Sequence, residues 1–192
     1  YYSLKNDKKY LEYLNELNEL TDEQKTFFQG IGKEFIKLLE NTNMTKVYKM
    51  PVLMAFYNHG DVRMEVTETE LLASWKEFFS TGTNWKDLDT GITYEQYCKI
   101  SDKDHIKRII KMPVNFLVKS GKGFFVKKED SALALRDEMK EIIKNSVLAE
   151  QMKDVIEYRV MDYYRKRYID YIKEATCMKE AYNYAKDFNE VL

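Results

Sequence analysis

Ser101-Asp-Lys-Asp-His-Ile-Lys-Arg-Ile-Ile-Lys-Met-Pro-Val-Asn-Phe-Leu-Val-Lys-Ser-Gly-Lys-Gly-Phe-Phe-Val-Lys-Lys-Glu-Asp-Ser131 decides the fold class. Ser101, with Asp102 and Asp104 behind it, is a strong helix start: a short hydroxyl accepts from an orphan N–H, and acids suit the positive end of the helix. Ile106, Ile109, Ile110, Val114, Leu117 and Val118 then mark a buried stripe, with basic residues on the other face. Ser120-Gly-Lys-Gly123 ends this helix. The two short runs within Phe124–Leu135, on either side of Glu129-Asp-Ser131, predict a hairpin. Between Ser101 and Lys128 there are eight Lys or Arg and two acids. The segment therefore carries a surplus of six positive charges inside a chain whose net charge is -1.

Working upstream, Thr67 caps an amphipathic helix through Leu71, Leu72, Trp75, Phe78 and Phe79. Arg63-Met-Glu-Val66 before it reads as a short extended piece. A buried helix is expected from about Tyr48 to Asn58, closed by His59-Gly60, with Pro51 tolerable in its first turn. Ser80 to Gly91, with Gly82, Asn84, Asp87 and Asp89, reads as a loop. The order is helix, short strand, helix, loop, helix, hairpin, which predicts a winged-helix-like centre. Two further helices precede it, over Leu4–Leu20 and from Thr21 onward, the second interrupted only by Gly30 and Gly32. From Arg136 to about Ala185 the pattern is helical throughout. The expected fold is mainly α: a winged-helix-like domain with a small β-hairpin at 44–135, an N-terminal helical pair at 1–43 and a long C-terminal helical segment at 136–192. Lys49-Met-Pro-Val52 recurs as Lys111-Met-Pro-Val114, but the flanking residues diverge at once, so a duplicated unit is not favoured.

Only 7 Gly and 2 Pro in 192 residues fit long helices and little sheet. With 44% hydrophobic and 33% charged residues the chain is not disordered. A mean hydropathy of -0.58 excludes a membrane bundle, and no apolar run reaches the ~18 residues a membrane span needs. There is no secretory signal pattern. Cys98 and Cys177, 79 positions apart, form no framework, so a reduced, cytoplasmic setting and packed thiols are expected. The start at Tyr1 instead of Met suggests a piece of a longer polypeptide.

The basic helix and hairpin have the charge that phosphate binding needs. If the helix near Asp104–Val118 entered a major groove, it would present Lys107, Arg108, Lys111 and Asn115; Arg and Asn are side chains that read guanine and adenine. Lys119, Lys122, Lys127 and Lys128 would meet phosphates. The bland alternative is a solvated helix face. A second concentration, Tyr158-Arg-Val-Met-Asp-Tyr-Tyr-Arg-Lys-Arg-Tyr168, interleaves aromatics with Arg. Such a run can stack bases, but Val155, Tyr158, Met161 or Asp162, Tyr168 and Tyr171 are better read as a packing stripe, with Arg165, Lys166 and Arg167 in solvent. No catalytic arrangement stands out. Glu65, Glu68 and Glu70 read as first-turn acids, His59 as a helix end, and His105 as exposed or near phosphate. Gly121-Lys-Gly123 is too short for a phosphate loop. No cofactor, metal site or activity of its own is expected for the chain.

Met44-Thr-Lys-Val-Tyr-Lys-Met-Pro-Val-Leu-Met-Ala-Phe56, Pro113-Val-Asn-Phe-Leu-Val-Lys-Ser-Gly-Lys-Gly-Phe-Phe125 and Val155-Ile-Glu-Tyr-Arg-Val-Met-Asp-Tyr-Tyr-Arg-Lys-Arg-Tyr168 carry a resemblance. Together they resemble the region that follows the motor in bacterial superfamily 2 DEAD/DEAH-type helicase-like proteins, including restriction-associated ones. The resemblance implies an accessory domain that binds DNA beside a helicase motor of the same polypeptide, and it transfers no catalytic residue. A protein-interaction module that docks on that motor or self-associates, and a nuclease, are the other classes considered.

Overall fold

Three helices of this chain open on the same device. In a computed structural model, which describes residues 14–189 and side chains as far as Tyr168, Thr21, Thr67 and Thr93 each accept from the backbone three residues on. Gln24, Glu70 and Gln96 reach back to the respective threonine N–H. These boxes start α1 (Asp22–Gln29), α4 (Glu68–Ser80) and α5 (Tyr94–Cys98). The first two were expected; α5 was not. Residues 14–16 are helical, and the rest of the helix expected over Leu4–Leu20 lies outside the described residues or is not helical.

The second expected helix is divided. Gly30 is extended, at φ -110 and ψ -170, and a new helix, α2 (Ile31–Asn41), follows it. A Cβ on Gly30 would stand 2.7 Å from the Thr26 carbonyl oxygen, which explains glycine at the joint. α2 buries Phe35, Ile36, Leu38 and Leu39. Phe35 stacks at 5.4 Å on Phe124 and at 5.9 Å on Phe125 of the central hairpin. The core therefore crosses the boundary expected at residue 43, and the described residues up to Tyr158 form one compact unit. Residues from Arg159 onward form a second.

α3 (Lys49–Met54) is shorter than the helix expected to reach Asn58. Tyr57–Asn58 (β1) instead pairs with Asp61–Val62 (β2). His59 at φ 46 and Gly60 at φ 103 form a two-residue turn with both positions left-handed, the hairpin geometry that matches strand twist. Glu65–Val66 (β3) then joins the later hairpin, β4 (Phe125–Lys128) and β5 (Ser131–Leu135). The antiparallel sheet runs β3-β5-β4, with Val66 opposite Leu133 and Val126 opposite Ala134. Two parts of the molecule far apart in sequence are thus bound through β5.

The loop expected at Ser80–Gly91 contains a single 3-10 turn, Asn84–Asp87. The basic helix is not continuous either. α6 (Asp102–Ile109) passes into a π turn at Ile110–Val114 and then into α7 (Asn115–Ser120). Pro113 has no N–H to donate to the helical ladder, and the wider turn absorbs that gap. The long last helix, α8 (Ser146–Asn189), starts ten residues after the expected Arg136. Asp137–Glu141 is a 3-10 turn that buries Met139. Asn145 caps α8: its Oδ1 accepts from Leu148 N at 3.0 Å, while its Nδ2 donates to the Glu23 carbonyl, also at 3.0 Å. Glu23 in turn accepts from Ser146 N at 2.6 Å, and that bond holds its carboxyl below the usual range. α1 and the start of α8 are fastened end to end by these contacts.

Behind α4 and α6 lies an aromatic core. Trp75 packs on Phe79 at 4.5 Å and on Tyr48 at 5.3 Å. Trp75, Phe79, Phe35 and Phe56 are fully buried. Burying each such side chain contributes on the order of 2–3 kcal/mol relative to exposure.

Candidate nucleic-acid interface

The solvent face of α6 and α7 presents Lys107, Lys111 and Lys119, all exposed. Among the described residues, the ammonium groups of Lys107, Lys111 and Lys119 have no hydrogen-bond or ion-pair partner. Their spacing of four and eight residues puts the first two one turn apart on one side. Two apolar side chains interrupt the row, Met112 and Phe116, at 38% and 55% exposure. This mixture of charge and apolar surface was not anticipated from the basic residues alone.

The hairpin stands next to that face. Lys127 Nζ donates to Asn115 Oδ1 at 2.9 Å, and Asn115 Nδ2 donates to the Lys111 carbonyl at 3.2 Å. Asn115 therefore bridges helix and hairpin, with both ends of its amide engaged. Lys122 is exposed at the left-handed φ of 49, in the turn between α7 and β4. Lys128 lies 3.5 Å from Asp137 and is exposed. Of the eight residues singled out in the sequence, Lys107, Lys111, Lys119, Lys122, Lys127 and Lys128 are exposed, and the Asn115–Lys127 bond ties the hairpin to the helix.

Arg108 is held within the protein. Its guanidinium donates to the Leu88 carbonyl at 2.6 Å and to Asp89 Oδ2 at 2.7 Å. This bond holds the Asp89 carboxyl below its ordinary range, and Arg108 itself is raised by Asp89. Arg108 is committed to the loop after α4 and does not stand free to read a base.

Between that loop and α6 lies an open groove of about 890 Å³. Lys46, Lys107, Arg108 and Lys111 supply its cations; Ile92, Ile100 and Met112 supply apolar surface. Lys46 Nζ is held by the Asp87 carbonyl at 3.1 Å and the Tyr48 hydroxyl at 3.3 Å. A smaller cavity of about 250 Å³ adjoins it, lined by Met44, Met112, Pro113 and Phe116 among others. Lys46 and the loop at Gly91-Ile92 were missed in the sequence because they lie outside the basic segment; only the fold brings them to it.

His105 is neither exposed nor near a phosphate path. It is 3% exposed, and its Nδ1 accepts from Trp75 Nε1 at 3.1 Å. Burial pushes its pKa below the usual imidazole value. Asp104 accepts from Ser101 Oγ at 2.6 Å and Asp102 pairs with Lys76 at 2.8 Å, so the two helix-start acids are occupied. Cys98, expected to pack, is an exposed free thiol. Met161 and Tyr168, expected in a packing stripe, are 62% and 65% exposed, while Val155 is buried as expected. Arg165 and Lys166 both pair with Asp162, at 2.7 and 2.6 Å. Tyr171 and Cys177 lie outside the described side chains.

Among the described residues no group of three or more His, Cys, Asp or Glu could hold a metal ion, and no helix is long and apolar enough to cross a membrane. No family model, curated protein or solved structure matches the chain.

Proposed function

We propose that this chain is a non-catalytic DNA-binding accessory domain with a winged-helix-like centre, working beside a helicase motor of the same polypeptide. One observation carries the DNA reading: Lys107, Lys111 and Lys119 along α6–α7 and Lys122 and Lys127 at the hairpin are exposed, and the 2.9 Å Asn115–Lys127 bond joins the two elements. The order α3, β3, α4, α6–α7, β4, β5, with β3 added to the hairpin, supports the winged-helix-like reading. In it, α6–α7 enters the major groove and the hairpin follows the neighbouring backbone. The helicase and restriction-associated setting rests on the resemblance carried by Met44–Phe56, Pro113–Phe125 and Val155–Tyr168. A cytoplasmic setting belongs to the same reading, and the exposed thiol of Cys98 suits a reducing compartment.

The test is a titration of labelled duplex across salt concentrations. Five phosphate contacts give a log–log slope of about -4.5, and charge reversal of Lys107, Lys111 and Lys119 flattens it by about 2.7 or more. Absence of salt-dependent binding by the unaltered chain overturns the reading.

A protein-interaction role is the second reading, favoured by the exposure of Met161 and Tyr168 on α8. Its signature is a complex with the motor, or a self-associated form, that survives high salt in scattering and pull-down measurements without any DNA affinity.

A further inference from the structure

The groove between the Asp89–Ile92 loop and α6 has features that a paired duplex does not need. Its apolar surface, Ile92, Ile100 and Met112, faces a space of about 890 Å³. A duplex keeps its base faces inside its own stack, and phosphates gain nothing from aliphatic surface. An unpaired nucleotide has both a flat apolar base and a charged phosphate, and a groove that sets aliphatic surface beside cations meets both.

The charges favour the same ligand. Both acids that line the groove are occupied within the protein: Asp89 by Arg108 at 2.7 Å and Asp104 by Ser101 Oγ at 2.6 Å. The ammonium groups of Lys107 and Lys111, without partners among the described residues, remain to face an anion. Gln96, exposed on the wall contributed by α5, spends its Oε1 on the Thr93 N–H at 2.8 Å, which leaves the Nε2 donors for the groove. The floor is held firm from behind. Tyr48 donates to the Leu88 carbonyl at 2.5 Å, Arg108 donates to the same oxygen at 2.6 Å, and Lys46 holds the Asp87 carbonyl at 3.1 Å. The loop is therefore fixed before any ligand arrives, which limits the ordering cost of binding.

We propose that this groove holds an unpaired segment of a nucleic-acid strand, with bases against Ile92, Ile100 and Met112 and phosphates at Lys107 and Lys111. The inference rests on the DNA-binding reading and deepens it: the domain prefers junctions where a duplex opens into single strand. On a blunt duplex all five lysines meet phosphates of the paired strands; at a junction Lys119, Lys122 and Lys127 keep the paired part, while Lys107 and Lys111 pass to the strand that leaves it.

Three labelled ligands test this by anisotropy: a blunt hairpin duplex, the same duplex with a single-stranded dT tail, and poly(dT). The tailed duplex binds about tenfold tighter than the blunt one, the gain expected from taking about 55 Å² of apolar surface out of water. Ile92→Ser, which alters no charge, removes most of that gain and leaves the blunt affinity unchanged. Ile100→Ser, on the same apolar wall, does the same and stands in if Ile92→Ser fails to fold by circular dichroism. If the tail brings no gain while the blunt duplex binds with the expected salt slope, the groove inference is overturned and the DNA reading stands. If neither duplex nor poly(dT) binds, both fall. If polyglutamate displaces poly(dT) at equal charge concentration, the groove recognises acidic chains in general, and the inference is overturned.

Discussion

The indole N–H of Trp75 donates to Nδ1 of His105 across 3.1 Å, joining α4 to the first turns of the basic helix inside the core. Trp75 is fully buried and His105 nearly so. An acceptor at Nδ1 requires a neutral ring, with its proton on Nε2. Burial is the main cause of the depressed pKa, and the cations of Lys76 and Arg108 add to it; Asp102 and Asp104 oppose them. A depressed folded-state value means that the unfolded chain takes up the proton first. Stability is therefore fully present above the ordinary imidazole value of about 6.5 and is lost as pH falls from there toward the lower folded-state value. Thermal melts at neutral and mildly acidic pH check this: the loss should be clearly smaller in His105→Gln, whose amide oxygen can still accept from Trp75. Equal losses in both proteins contradict it.

Gly121 closes α7, and a Cβ there would stand 2.3 Å from the Leu117 carbonyl oxygen and 2.7 Å from Phe125 Cδ2. The carbonyl cannot yield, because it accepts the Gly121 N–H at 2.8 Å. Gly121→Ala should cost about 1–3 kcal/mol in urea unfolding, as overpacking does. Gly123, at φ 78 with nothing within 4 Å of a Cβ, meets only backbone strain. Its alanine variant should be the milder of the two, and the reverse order would show that the helix end relaxes.

Arg108 secures the loop that forms one wall of the groove. Arg108→Met removes charge-assisted bonds to the Leu88 carbonyl and Asp89, which are worth about 1.5–3 kcal/mol. Amide exchange at Leu88–Ile92 should rise well beyond the rise in the α4 core. Uniform acceleration across both regions would mean that the loop is not separately held.

Lys127 offers a cleaner separation of stability from binding. Its bond to Asn115 is exposed, so Lys127→Met should change stability by less than about 1 kcal/mol. The salt slope for duplex binding should fall by about 0.9, one phosphate contact. An unchanged slope removes this residue from the interface.

Much of the fold is written locally. Thr67 with Glu70, Thr21 with Gln24, and Ser101 ahead of two acids are each complete within four residues, and all three helix starts lie where the sequence puts them. Thr93-Tyr-Glu-Gln96 carries the same signature and was passed over, because no long apolar stripe follows it in a five-residue helix. Tyr57-Asn58-His59-Gly60 illustrates the opposite difficulty. An apolar run entering a turn suits a helix end as well as a hairpin, and only the pairing of Tyr57 with Val62 decides between them. The basic surface was legible as charge. The direction of Arg108 was not, since it depends on Leu88 and Asp89, about twenty residues away in the chain. His105 was misread for a related reason: a polar ring in a helix's first turn reads as exposed until Trp75 is placed against it.

In the β3-β5-β4 order, strand β4 has no neighbouring strand beyond it among the described residues. A bare strand edge is a template on which a second chain can add itself, and lysine is among the residues that discourage this. Lys127 and Lys128 are the exposed residues at the end of that strand, beside a break in register after Val126. Their charges disfavour pairing of that edge with a second copy of the chain. Removing both would leave Phe125-Val126 leading to an edge with less to oppose intermolecular sheet growth, a consequence separate from any nucleic acid.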